Sequence, residues 1–573
     1  MEYRWSAKPQ PPADKVALLT ETLNINPKLA SILVQRDITH PDEAIRFFEP
    51  KMEHLHDPFL MKDMDKAISR IEQAIKDKEG ILIYGDYDVD GTTAVAIVYQ
   101  FFRSFNPRMD YYIPDRYKEG YGISRQGIAF AKENGYSLII ALDCGVRSNV
   151  LVEEAKALGI DFIICDHHLP GATIPEAVAV LDPKRSDCTY PYKELSGCGI
   201  GFKLIQAYIQ KSGMDPSRLD EYLDLVAVSI ASDIVDIRGE NRVLAYFGLK
   251  KLNNDPCIGL QSLLHNYVMK EEYTITDIVF GLGPRINAAG RIADARAAVK
   301  VLIEKDFNTS MQLAKVLNER NVERKDLDSD ITREAVEMIQ QSEELLRKRS
   351  TVLFGEHWHK GVIGIVASRL VEQFYKPTIV FSRTENMLTG SARSVKDFDI
   401  HEAIGKCGDL VEQFGGHKYA AGLSIKSENL EAFCERFEAI VHEDISERSL
   451  VPEIEYDVEL SLADITKDFY HSIQKLAPFG PGNMLPVFKT ENLCAQGNAR
   501  ILKEKHLKIQ VYQDGQLMDG IGFGLAEVYP YVSGNNRFHA TYCIEENTFN
   551  NRTTLQLRLK DIKTAELMQG LAS

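Results

Sequence analysis

At 573 residues, 44% hydrophobic and 26% charged, the chain is too long for one core and predicts a soluble protein of two to four domains. No apolar run approaches the roughly 18 residues that cross a bilayer. The polar opening MEYRWSAKPQPPADK lacks a signal peptide's apolar stretch, and nine scattered cysteines form no C-x-x-C, so the expectation is a reducing cytoplasm without disulfides or a zinc ribbon. A formal net charge of −16 excludes a general nucleic-acid glue; a polyanion would need a local basic groove.

Residues 1–75 carry helix-like patterns with polar starts (ADKVALLTETL, KLASILVQR, PDEAIRFF) and read as a helical cap. From Gly80 to Leu181 short apolar strands at 81–84, 138–142 and 162–165 alternate with helices at 94–102, 125–133 and 148–157. That alternation predicts a parallel sheet covered on both faces, with ligands beyond the carboxyl ends of its strands. GILIYGDYDVDGTT ends its strand in Asp86, Asp88 and Asp90; SLIIALDCG ends in Asp143, FIICDHH in Asp166, His167 and His168, and the later apolar run DLVAVSIASDIVDI, read as another strand, in Asp233.

Three acids at alternate positions repel one another unless a cation neutralises them. An EF-hand loop is excluded, because a strand precedes the acids and Ile97 stands where the twelfth-position Glu belongs. An Asp-rich surface turn explains the first segment alone, but not four segments delivering carboxylates and imidazoles to one crevice. Oxygen-rich ligands with one or two imidazoles suit a pair of Mn²⁺ or Mg²⁺ ions, about 3.5–4 Å apart, of the kind that activates water for in-line displacement at phosphorus.

Further along, Arg116 in PDRYKEGYG and Arg285, Asn287 and Arg291 in PRINAAGR lie among small residues, where guanidinium groups can fork onto phosphate or pair with the chain's own acids. The G-x-G-x-G of LSGCGIGF follows no strand and is not a Rossmann fingerprint; Cys198 and Gly201 there read as packing variation. A charged stretch from Asp306 to Arg349 with Leu327, Ile331, Ala335 and Ile339 four residues apart predicts a long bridging helix. TVLFGEHWHKGVIGIVASRL begins a second α/β unit, in which His357 and His359 lack a third zinc ligand; Ser391 and Arg393 in GSARS and the glycine pair before His417 suggest a phosphate pocket. Beyond residue 450, EIEYDVEL, HLKIQVYQ, FHATYCIEE and TLQLRLKDI alternate as strands, with turn signals at 514–515 and 534–536, and predict a small β-barrel. Arg500, Lys503, Lys505, His506, Lys508 and Tyr512 mark either a single-strand-binding face or a solvated hairpin.

GDYDVDG, ALDCG, CDHH and SIASDIVDI resemble the four motifs of the DHH phosphoesterases, and PDRYKEGYG, LSGCGIGFKL, GLGPRINAAGRI, EHWHKGVIGIVASRL, GSARSV, GGHKYAAGLSI and APFGPGNMLPVF resemble its RecJ branch of single-strand-specific exonucleases. The resemblance implies an α/β fold: a helical cap (1–75), a DHH domain with a parallel sheet (76–304), a long connecting helix (305–349), a second α/β domain of the DHHA1 kind (350–448) and an OB-fold barrel (449–573). It implies Mn²⁺ or Mg²⁺ held by Asp88, Asp90, Asp143, His167 and Asp233, Asp86 in or beside that shell, and His168 facing the scissile phosphate with Asp166 orienting it. Ser391, Arg393 and His417 would receive the strand's 5′ end, with Arg116, Arg285, Asn287, Arg291, Lys505 and Lys508 as further nucleic-acid contacts. The implied activity is 5′→3′ degradation of single-stranded DNA to mononucleotides, in repair and recombination, with a single-strand-binding protein or a helicase as candidate partners, no membrane role, and a monomer. The alternatives are a phosphodiesterase of short oligonucleotides or cyclic dinucleotides, and an inactive single-strand-binding scaffold.

Overall fold

A computed structural model describes residues 2–564 except 266, 268, 269, 293, 498, 534, 535 and 551; the turn signal at 534–535 therefore lies outside the described residues. The chain divides into two units: one of residues 1–44, 325–475 and 485–573, the other of 45–324 and 476–484. The described chain opens with a strand, β1 (Arg4–Ala7), and helices α1 (Ala13–Leu23), α2 (Pro27–Val34) and α3 (Pro41–Phe48), before α4 (Met64–Lys76). The stretch expected as one helical cap is thus shared: α1 and α2 go with the first unit, α4 with the second.

The second unit is built on five parallel strands, β2 (Gly80–Gly85), β3 (Met109–Tyr112), β4 (Tyr136–Leu142), β5 (Asp161–Cys165) and β6 (Ala179–Leu181), in the order β3-β2-β4-β5-β6. Their continuous apolar runs follow from burial on both faces. Ile81 and Ile83 point into one core layer with α5 (Val89–Arg103) and α8 (Gly197–Ser212), while Leu82 and Tyr84 point into another with α6 (Arg125–Glu133) and α7 (Asn149–Ala157). Chain direction across the sheet reverses between β2 and β4, and such a switch point leaves a crevice beyond the strand ends. Asp86, Asp88 and Asp143 follow those two strands directly.

The segment ending in Asp233 is not a strand. It forms helix α9 (Leu223–Ser232), buried from Leu223 to Ala231. An apolar run enclosed on all sides looks alike in helix and strand, and here ten residues with alanine and leucine favour the helix. Segment 476–484 belongs to the same unit: Pro481 O accepts from Ile237 N at 2.7 Å, and the Arg242 guanidinium donates to Leu476 O and Ala477 O at 2.8 Å each.

In the first unit, a five-stranded mixed sheet runs from Thr351–Gly355 through Thr378–Thr384, Met387–Arg393 and Ala420–Lys426 to Gln413–His417. Ile331, Ala335 and Ile339 of the 35-residue helix Phe307–Gln341 pack with helix Ile363–Phe374 in one core, and Phe433, Phe437 and Val441 fill another. Seven strands from Val458–Glu459 to Arg552–Thr564 form the β-rich C-terminal sheet, in which an extra pairing joins Phe488–Ala495 to His506–Gln513. Asp514 and Gly515 turn one of its hairpins, both at positive φ. Glu453–Tyr456, expected among these strands, instead pairs in parallel with β1.

Candidate metal centre

The centre is made where loops leave the sheet. After β2 the chain turns at once into α5, with Asp88 as N-cap accepting from Gly91 N at 3.0 Å. Gly91 is required there, since a Cβ would lie 2.4 Å from Asp86 O. The helix begins at Val89, five residues before the expected start at 94, so Asp90 lies in its first turn and is buried.

Asp90 is held from three sides. Gly197 N donates to its Oδ2 at 2.6 Å, Cys198 N to Oδ1 at 2.7 Å, and Ser229 Oγ to Oδ1 at 2.7 Å. The two amides are the first of α8, whose positive end favours a carboxylate. LSGCGIGF therefore also reaches the site: Gly197 lets the helix end approach, since a Cβ on it would lie 2.6 Å from Asp143 Cβ, while Gly201 packs against Val98 and the Cys198 side chain lies in the core. Ser196, the N-cap, hydrogen-bonds Ser229 Oγ at 2.6 Å and completes the clasp.

His167 Nε2 faces Asp143 Oδ1 at 3.2 Å, Asp233 Oδ2 at 3.5 Å and Asp90 Oδ2 at 3.6 Å. These spacings are long for hydrogen bonds but fit ligand atoms around a shared ion about 2.0–2.2 Å from each. Neither His167 nitrogen has a hydrogen-bond partner, nor do Asp143 Oδ1 and Asp86 Oδ1, although all are buried. Buried polar atoms in this state mark a place suited to a cation. Three donor sets emerge among the described residues, Asp90–His167–Asp233, Asp86–Asp88–Asp143 and Asp143–His167–His168, and the third joins the other two through His167 and Asp143, whose Oδ1 lies 3.2 Å from His167 Nε2. The residues fit a pair of hard divalent cations.

The charges agree. Burial, then neighbouring Asp88, pushes the Asp86 carboxyl well above its usual range, and burial with Asp90, Asp88 and Asp233 does the same to Asp143. Asp233 is pushed up to about 9 by burial and by Asp90 and Asp88. Burial lowers His167, favouring the neutral imidazole a metal needs. Lys184, absent from the sequence reading, opposes the rise at Asp233 and the retention of a proton on His167.

His168 has a different role. Its Nδ1 lies 2.7 Å from Asp166 Oδ1 and its Nε2 3.0 Å from Tyr121 Oη. Burial works against both charges of the Asp166–His168 pair, but their hydrogen bond wins, taking Asp166 down to about 2 and His168 upward. Asp166 Oδ2 also accepts from Val146 N at 2.9 Å, which fixes the carboxylate. Tyr121 was legible only as the aromatic of a G-Y-G segment, without a partner.

The remaining predicted contacts are placed unevenly. Arg116 lies over the Tyr87 ring at 5.0 Å, beside the acidic loop. Asn287 and Arg291 are one helical turn apart on Gly283–Ile292, a helix that packs so closely that a Cβ on Gly290 would lie 2.7 Å from Tyr87 O. Arg285 turns inward: it is buried, donates to Gly281 O at 2.6 Å and covers the Tyr267 ring, so its guanidinium is not presented to a strand. Ser391 and Arg393 meet, with Nη1 3.2 Å from Oγ, and a Cβ on Gly364 would lie 2.8 Å from that Oγ. His417 joins their row of the sheet, since both it and Arg393 pair with Ala420. Lys505 is exposed at a hairpin, whereas Lys508 is engaged by Gln556 at 3.2 Å and Asp519 at 3.9 Å.

Residues 80–230 match the DHH family N-terminal domain, 348–443 the DHHA1 domain and 456–561 the RecJ OB domain. The single-stranded-DNA-specific exonuclease RecJ of Bacillus subtilis is 37% identical over 572 residues, which is 99% of this chain and 71% of that protein. The chain belongs to the RecJ family. The Escherichia coli RecJ is 32% identical over 88% of this chain and 90% of its own. The crystal structure of Thermus thermophilus RecJ with Mn²⁺ superposes with a TM-score of 0.85 at 25% identity, covering 98% of this chain and 80% of that one. A Mg²⁺ complex from the same organism is also similar. The RecJ likeness extends over all three domain types, as the motifs implied.

Proposed function

We propose that the protein is a metal-dependent exonuclease of single-stranded DNA that works from the 5′ end and releases mononucleotides. The observation that carries this reading is the convergence of Asp90, Asp143 and Asp233 on His167 Nε2 within 3.2–3.6 Å, in a chain of the RecJ family. Asp88, Asp90, Asp143, His167 and Asp233 would hold two divalent ions, Mn²⁺ or Mg²⁺, with Asp86 completing the second site. When bound, such a pair supplies Lewis acidity that activates water and shares charge at phosphorus.

The chain's own residues do the rest. The α8 amides and Ser229 fix Asp90, leaving the side of Oδ2 that faces His167 for the ion. Asp166 holds His168 by Nδ1 and favours its cationic form, directing Nε2 toward a phosphate oxygen once Tyr121 yields that position. Arg116, Asn287 and Arg291 lie on the side of Tyr87 and would guide the backbone; Ser391, Arg393 and His417 would receive a terminal phosphate in the DHHA1 unit and give the reaction its polarity. The long helix and the C-terminal barrel suit a polymer and have no evident use for a dinucleotide, and the full set of aspartates and histidines disfavours an inactive scaffold.

Time-resolved digestion of a 5′-phosphorylated, 3′-labelled oligonucleotide with Mn²⁺ or Mg²⁺ tests the proposal. Progressive shortening from the 5′ end with mononucleotide products is expected; internal cuts, 3′ trimming, or consumption of dinucleotides alone would contradict it.

A further inference from the structure

Helix α9 ends in a way its sequence does not favour. Ser232 is its last residue, Asp233 its C-cap, and Ile234 the next residue, at φ +59°. Glycine is the usual occupant of that left-handed position, because a Cβ there crowds the following carbonyl. Isoleucine is among the worst choices, and Ile234 is the one β-branched residue among the described non-glycine residues at positive φ. Its side chain gains little from burial in return, being 63% exposed while its neighbour Val235 packs against the core and Ile237 is buried within it. Strain of this kind persists where a side chain has work outside the fold.

Its location suggests that work. Ile234 directly follows Asp233, whose Oδ2 is 3.5 Å from His167 Nε2. Leu169, 66% exposed, directly follows His168. Thus two of the loops that carry the charged centre each present a large apolar side chain to solvent beside it. A single strand entering the centre offers apolar surface of its own, the faces of its sugars and bases, next to each phosphate. We propose that Ile234 is a substrate-contacting residue whose side chain packs on the sugar and base of the nucleotide beside the reacting phosphate, independently of sequence. This rests on the nuclease reading above and adds a contact to it that uses neither charge nor metal.

The test compares Ile234→Gly and Ile234→Val with the wild type by melting temperature, by Kd for a fluorescent 5′-phosphorylated oligonucleotide in EDTA, and by steady-state kinetics. Ile234→Gly relieves the backbone and should melt at or above the wild type, yet bind the oligonucleotide about tenfold more weakly, as expected for one lost apolar contact. Its KM should rise by the same factor with kcat changed less than about twofold, and Ile234→Val should stay close to the wild type. An Ile234→Gly protein that keeps wild-type Kd and KM, or that melts below the wild type, overturns the proposal. A wild type that binds the strand without degrading it would remove the nuclease reading, and the Kd comparison would still decide the role of Ile234.

Discussion

Among single residues, Ser229 shows how far the centre extends beyond its ligands. It donates to Asp90 Oδ1 and is itself held by Ser196. Ser229→Ala removes one of three donors and should weaken Mn²⁺ binding about 10–100-fold, read by calorimetry. Its melting temperature should fall only slightly, because the α8 amides remain. Titration gives a second handle. Asp86, Asp143 and Asp233 have raised folded-state values, so between about 4, the unfolded value, and about 9, the value at Asp233, the ion-free folded protein binds more protons than the unfolded chain. Stability of the ion-free protein should therefore fall as pH rises through that window. Divalent ions displace those protons, so the melting-temperature gain from Mn²⁺ should be much larger at pH 8 than at pH 5. Asp233→Asn should flatten the pH dependence and reduce the gain; an unchanged gain would remove Asp233 from the ligand set. The Asp166–His168 pair behaves otherwise: Asp166 stabilises above about 4 and loses that as pH falls toward about 2, while His168 stabilises below about 6.5 and loses that as pH rises through its raised value.

At the scale of elements, sequence legibility followed the physics of each segment. Strands β2, β4 and β5 were readable because central parallel strands are apolar without interruption, and the aspartates after them were readable because three acids in five residues need a reason. The α9 run was misread because complete burial erases the period that separates helix from strand. The grip of α8 on Asp90 was not readable, since it joins residues 107 and 108 positions apart through backbone amides that carry no sequence signature. Arg285 could not be told from Arg116 for the same reason: both stand among small residues, and only packing turns one inward. Segment 476–484 illustrates a long-range tie within the second unit. Arg242 stacks 3.6 Å from the Phe47 ring centroid and donates to Phe47 O, Leu476 O and Ala477 O. Arg242→Ala leaves buried carbonyls without their donor and should cost about 2–4 kcal/mol of stability, measurable by urea unfolding. In the other unit, Arg393→Ala should lower activity on 5′-phosphorylated strands by about tenfold or more while sparing 5′-hydroxyl strands; equal losses on both would refute a terminal-phosphate pocket.

For the whole molecule, a net charge of −16 and a polyanionic substrate require the basic residues to act locally. Strand affinity should fall with rising salt, with a log–log slope that counts the few phosphates contacted; a salt-independent Kd would mean that phosphate contacts do not govern binding. No described helix is long and apolar enough to cross a membrane, and all nine cysteines are free thiols. Each unit carries a different part of the proposed reaction: carboxylates and imidazoles at the switch point of one sheet, a candidate phosphate pocket on the other. Asp90→Ala and Asp143→Ala should therefore abolish cleavage while leaving strand binding largely intact.

In the proposed reaction, these side chains gather to hold a pair of divalent ions. Calorimetric titration of the ion-free protein with Mn²⁺ at pH 8 measures it directly. Two ions bound per wild-type chain, and at most one weakly held ion in Asp143→Ala, is the predicted result; no binding by the wild type, or an Asp143→Ala protein that still takes up two ions with wild-type affinity, would contradict it.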